Sequence, residues 1–117
     1  MRLPRPRLTI RLMMVLVAVA ALALSVEATR RRMASLSLAY LGRAREYQLK
    51  ADVASASALE SEDWSQRGRT PDPKYAQRSI SYRRLCEFHL TMKRKYERAA
   101  TRPWLPIAPD PAPPPEP

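Results

Sequence analysis

The sequence predicts an all-α protein: one N-terminal transmembrane (or signal) helix, then a two-helix antiparallel hairpin and a polyproline-rich tail. Three observations predict it. An uncharged run, Leu12 to Val26, lies near the N-terminus. Two later stretches place apolar or small residues three and four apart, the period of one helix face. Eight prolines crowd the last fifteen residues. The segments that follow are a basic flank (1–11), a membrane anchor or signal segment (12–28), a first amphipathic helix (30–60), a loop (61–72), a second amphipathic helix (73–101) and a Pro-rich tail (102–117).

A chain of 117 residues holds at most one small domain. With both ends set aside, roughly 70 residues remain to build a core, and a core that small needs support. A single cysteine, Cys86, excludes an internal disulfide framework. Support must come from a membrane, a partner chain or close helix packing.

The net charge of +10 invites a nucleic-acid reading, so its placement matters. Arg2, Arg5, Arg7 and Arg11 precede the apolar run, and Arg30, Arg31 and Arg32 follow it. From Met33 onward, 14 basic residues face 10 acidic ones, a modest excess. Lipid head groups account for the rest, since phosphates attract arginines at the ends of an apolar helix. The expected lipid contact is through residues 8–28 and these flanking arginines.

Leu12 to Val26 as a helix spans ~22 Å, short of a ~30 Å hydrocarbon core. If Arg11 snorkels, Leu8 to Ala28 gives 21 residues, enough to cross. A cleaved signal peptide is the alternative, with small residues placed for cleavage after Ala28. Against it, Thr29 is followed at once by three arginines, which hinder export of a mature N-terminus. The favoured reading is an uncleaved single-pass anchor. Its slightly more basic N-terminal flank favours a cytoplasmic N-terminus. Under the alternative, the remainder is secreted or periplasmic.

Met33, Leu36, Tyr40, Ala44, Tyr47, Ala51, Ala54 and Ala58 form the stripe of the first hairpin helix. Its alanines allow close approach but bury little area. Gly68, Pro71 and Pro73 interrupt the pattern. Asp72 before Pro73 is a helix start, a carboxylate cap followed by proline at the first helical position. The second stripe is Tyr75, Ser79, Tyr82, Leu85 or Cys86, His89, Met92, Tyr96 and Ala99, ending before Pro103. Two such helices form an antiparallel hairpin, with tyrosines supplying most of the buried area. A unit this thin is expected to self-associate or to lean on an unknown protein partner.

The tail, Pro103 to Pro117, suits polyproline II geometry, with three residues per turn. Pro103, Pro106 and Pro109 then line one edge. Trp104, Leu105 and Ile107 are expected to clasp the hairpin or to serve as a recognition peptide. Asp110 onward reads as a disordered stub.

Lys95-Tyr96-Glu97-Arg98-Ala99-Ala100, then Pro103-Trp104-Leu105-Pro106 and Pro109-Asp110-Pro111, resemble the C-terminal pattern of a group of short planctomycete proteins. These pair a basic N-terminal apolar segment with a helix ending K-Y-x-x-A-A-x-x-P-W-L-P and a proline-rich tail. An aromatic often precedes P-W-L in that group, where this chain has Arg102. The resemblance implies a membrane or exported location and brings no activity.

No residue set rises to a catalytic mechanism, and an enzyme is not expected. Cys86 and His89 share a helix face, yet a nucleophile pair also needs an orienting group and an oxyanion site. Two ligands cannot close a zinc site within one chain, so no metal or cofactor is expected. The two glycines, Gly42 and Gly68, exclude a phosphate-cradling loop. Glu60, Glu62 and Asp63 read as a solvated acidic surface. Arg83, Arg84, Lys93, Arg94 and Lys95 are a candidate nucleic-acid patch, but a solvated face is the commoner meaning of such a run, and nucleic acid is disfavoured as a partner. Structural or protein-interaction roles remain in front.

Overall fold

The computed structural model describes residues 6–68 and 72–117. Arg2 and Arg5 of the basic flank, and Arg69 to Pro71 of the loop, lie outside the described residues. Two helices, α1 (Pro6–Arg67) and α2 (Pro73–Thr101), make up the fold, with no strand among the described residues. The chain divides into two units, Met1–Ser35 and Leu36–Pro117.

In the first unit, residues 12–26 of α1 are apolar on every side. Leu12, Met14, Leu16, Val19, Leu22 and Leu24 are each between 57% and 72% exposed. No one-sided stripe exists here, which is the pattern of a helix surrounded by apolar material rather than leaning on a core. This N-terminal stretch is long and apolar enough to cross a membrane, a property that signal sequences share. After it, Arg31 pairs with Glu27 across one turn at 2.9 Å.

The second unit is an antiparallel helical hairpin. Ser37 Oγ donates to Ala100 O at 2.8 Å near one end, and Ser79 Oγ donates to Glu62 Oε1 at 3.2 Å near the other. Ala44, Ala51, Ala54, Ala58 and Ser61 are buried along α1, at alternating gaps of seven, three, four and three. That is a heptad seam. Opposite them, Ser79, Leu85, Met92, Tyr96 and Ala100 are buried on α2. Among the buried residues the bulk comes from one side: α2 lays a leucine, a methionine and a tyrosine over the alanine track of α1. Each such side chain contributes roughly 1.5–3 kcal/mol on burial. The track expected to bury little is therefore what lets those residues sink, Ala51 being only 1% exposed. At the C-terminal end of α2, Ala100 rather than Ala99 takes the buried position.

The loop is shorter than 61–72. Residues 61–67 continue α1, because this turn has partners across the hairpin that its composition does not announce. Ser61 is buried at the seam, and Glu62 bonds to Arg83 and Ser79 of α2. Asp63 and Arg67 add an i,i+4 pair at 2.6 Å. No break separates the segments 12–28 and 30–60, which belong to one helix, as the lack of a helix breaker between Leu8 and Tyr40 leads one to expect.

α2 begins as its sequence suggests. Asp72 Oδ1 accepts from Lys74 N at 2.9 Å, with Pro73 at the first helical position. It ends where the Arg102 N–H bonds to Ala99 O at 3.2 Å and Pro103 forbids another turn. Leu105 N then bonds to Arg102 O at 3.1 Å, and this turn sends the tail back.

The tail is not a stub. It retraces α2 in the opposite direction, Ala108 and Asp110 reaching Lys95 and Asp110 also reaching Tyr96. Ile107 packs against the Ala44–Met92–Tyr96 core. Trp104, expected to share in the clasp, is 64% exposed, and Leu105 is 48% exposed. The edge that grips is thus not Pro103, Pro106 and Pro109. Ile107 and Asp110, one polyproline turn apart, carry it.

Candidate functional site

Among the described residues, charge, aromatic rings and a cleft coincide at the seat of the tail on the hairpin. Heptad spacing sets Tyr40, Ala44 and Tyr47 on the inner face of α1, and His89, Met92 and Tyr96 on that of α2. Four of these six side chains carry rings, and the rings meet. Tyr96 stacks on Tyr47, centroids 5.6 Å apart and planes 14° from parallel. Tyr40 closes on Tyr96 at 6.2 Å, and His89 on Tyr47 at 5.9 Å. Phe88 meets His89 edge-on at 5.5 Å. Offset and tilted contacts of this kind add to area burial by roughly 0.5–1.5 kcal/mol per pair.

Cations frame the rings. The guanidinium of Arg43 lies 5.6 Å from the Tyr96 centroid, and the ammonium of Lys95 lies 5.7 Å from it. Lys50 stands 5.5 Å from the Tyr47 centroid. Into this positive, aromatic seat the tail places one carboxylate. Asp110 Oδ1 accepts from Lys95 Nζ at 2.6 Å, and Asp110 Oδ2 accepts from Tyr96 Oη at 2.6 Å. Tyr47 Oη adds a longer contact of 3.4 Å. Lys95 Nζ also donates to Ala108 O at 2.5 Å, fixing the tail backbone. Hydrogen bonds from Lys95, then Tyr96, hold the Asp110 carboxyl below its ordinary range. Burial, and next the Asp110 charge, push the Tyr47 phenol up.

Beyond Asp110 the tail roofs a cleft of about 740 Å³. Its walls include Val53, Leu85, Phe88 and His89 from the helices, and Pro113 and Pro114 from the tail. His89 Nδ1 is buried there with no hydrogen-bond partner. Burial, and then the nearby charge of Lys50, lower the imidazole pKa, while Glu116 at the end of the tail opposes them.

Of the residues singled out from sequence, His89 lines this cleft and Cys86 does not. Cys86 is half-buried with a free thiol. Among the described residues, no three His, Cys, Asp or Glu side chains group as a metal would require. The acidic trio is split: Glu62 bridges to α2 and Asp63 pairs within α1. The basic run on α2 is partly committed, with Arg83 on Glu62, Lys93 on Glu97 at 3.5 Å and Lys95 on Asp110.

Asp110 is the residue that sequence reasoning missed. The available signal was its spacing: three residues after Ile107 in a polyproline segment, it shares an edge with the one aliphatic side chain that packs. Arg43 was missed as well, because its role depends on a tyrosine 53 residues away. No family model, curated protein or solved structure matches the chain.

Proposed function

We propose that this is a single-pass, membrane-anchored helical protein with a structural or protein-interaction role. The observation that carries the reading is the apolar N-terminal part of α1, whose window of membrane-spanning length is 0% buried. A helix apolar all round has no stable place in water, and lipid supplies the missing cover. The arginines on either side suit phosphate head groups, and the slightly more basic leading flank favours a cytoplasmic N-terminus. The resemblance to short planctomycete proteins with the same two ends points to the same location. On this reading the hairpin with its strapped tail is the part presented to protein partners or to another copy. On the same reading the chain works by contact rather than by catalysis, and nucleic acid is the disfavoured partner.

Alkaline carbonate extraction of the native host, followed by intact mass of C-terminally tagged protein, tests this. Full-length protein in the membrane pellet is the expected result. A soluble species beginning at Thr29 would overturn the anchor and make the hairpin a secreted module.

A further inference from the structure

The hairpin has two ends, and its two tryptophans mark one each. Trp64, 53% exposed, lies in the last turn of α1 beside the interhelical loop. Trp104, 64% exposed, lies in the turn after α2. The Ser37–Ala100 hydrogen bond fixes which end the second one occupies: the Leu36 end of the hairpin unit.

That end carries exposed apolar and basic side chains together. Trp104 and Leu105 follow one another at the surface, held there by the Arg102–Leu105 turn rather than dangling. The turn brings no core contact to either residue. Its apolar anchor is Ile107, two residues further on. Leu38, on the first turn of α1 within this unit, is 70% exposed. Arg98 and Arg102, both exposed, are four residues apart at the C-terminal end of α2. An ordered turn that turns a tryptophan and a leucine outward beside two arginines has the composition of a membrane-interface contact. The indole favours the head-group level, leucine the acyl boundary, and arginine the phosphates.

Chain length says which lipid surface is in reach. Leu36 follows Ala28, the end of the apolar segment, by eight residues. Even fully extended, eight residues span no more than about 29 Å. The interhelical loop, a further 31 residues of α1 from Leu36 to Arg67, has no such tether.

We propose that Trp104, Leu105, Arg98 and Arg102 form a lipid-contact site that seats the Leu36 end of the hairpin on the bilayer crossed by its own anchor. The occupant is an anionic lipid surface. This rests on the anchor reading above. Trp104 is thereby assigned to neither the core nor a peptide groove, and the turn that exposes it is the device that presents it to head groups.

The two tryptophans make the test internally controlled. Full-length chain carrying Trp64→Phe reports only Trp104, and chain carrying Trp104→Phe reports only Trp64. Both are reconstituted into nanodiscs of phosphatidylcholine and phosphatidylglycerol, with and without brominated acyl chains, and helicity is checked by circular dichroism. The expected result is that Trp104 emits at shorter wavelength than Trp64 and loses most of its intensity to bromine, while Trp64 is little affected. Replacing Arg98 and Arg102 by glutamine should weaken that quenching, and more so in discs containing phosphatidylglycerol. Chain that co-elutes with the discs but shows equal, weak quenching at both sites would overturn the proposal and leave the anchor standing. Chain that fails to enter the discs would overturn both.

Discussion

The Tyr96 hydroxyl donates to Asp110 Oδ2 at 2.6 Å and accepts from Arg43 Nη1 at 3.1 Å, so one phenol links α1, α2 and the tail. Tyr96 is also part of the buried core, 3% exposed. The strap is therefore attached to the same side chain that holds the hairpin together, and loosening one should be felt by the other.

Asp110→Asn keeps the shape of the side chain and removes its charge. The Lys95 and Tyr96 bonds lose their ionic assistance, at a cost of about 1–2 kcal/mol for a pair that remains partly solvated. Urea titration in mild detergent should show the midpoint falling, with helicity at zero urea unchanged. An unaltered midpoint would mean that Ile107 and the prolines hold the tail without the carboxylate.

Acidification should loosen the hairpin in two separate windows. His89 has a folded-state pKa below its ordinary 6.5, so the neutral ring is favoured in the cleft. Its contribution is fully present above 6.5 and fades as pH falls through the lowered value. Asp110 is likewise held below 3.8, and its contribution is lost only at still lower pH. His89→Leu should abolish the first loss and spare the second, as read by urea midpoints across the pH range.

Gly42→Ala should stabilise. Gly42 lies inside α1, and a methyl group built there meets nothing within 4 Å. The gain expected is about 0.5–1 kcal/mol, from helix propensity and a less flexible unfolded chain. A destabilised variant would show that this surface is covered in the intact protein.

Ala51→Leu should do the opposite. At 1% exposure the residue is enclosed by the hairpin, and overpacking such a site typically costs about 1–3 kcal/mol. The same change at Val53, 68% exposed on the wall of the open cleft, should be nearly neutral. Thermal melts of the two variants decide whether the alanine track is a contact surface.

The hairpin was legible because its two stripes are periodic and its second helix has an unmistakable start at Asp72 and Pro73. The C-terminal extent of α1 was not, since residues 61–67 look like a loop by composition. They are held helical by Glu62 reaching Arg83 and Ser79, partners about twenty residues distant. Composition likewise suggested that the tail beyond Asp110 is free. A proline-rich segment has no internal hydrogen bonds, so whether it docks depends wholly on which surface it meets. That surface exists only once Tyr47 and Tyr96 have come together across the hairpin. Trp104 shows the converse: of its two expected roles, clasp or exposed recognition peptide, the clasp falls to Ile107, because the chain reversal at Arg102 turns the indole out.

The strap has a spectroscopic consequence. Eight of its last fifteen residues are prolines and carry no amide hydrogen. Amide exchange, the usual record of local opening, has reporters at only seven of those fifteen positions. Its motions would be written instead on its hosts, in the exchange of the Tyr96 hydroxyl proton and the ring-current shifts that Tyr47 and His89 impose on the prolines above them.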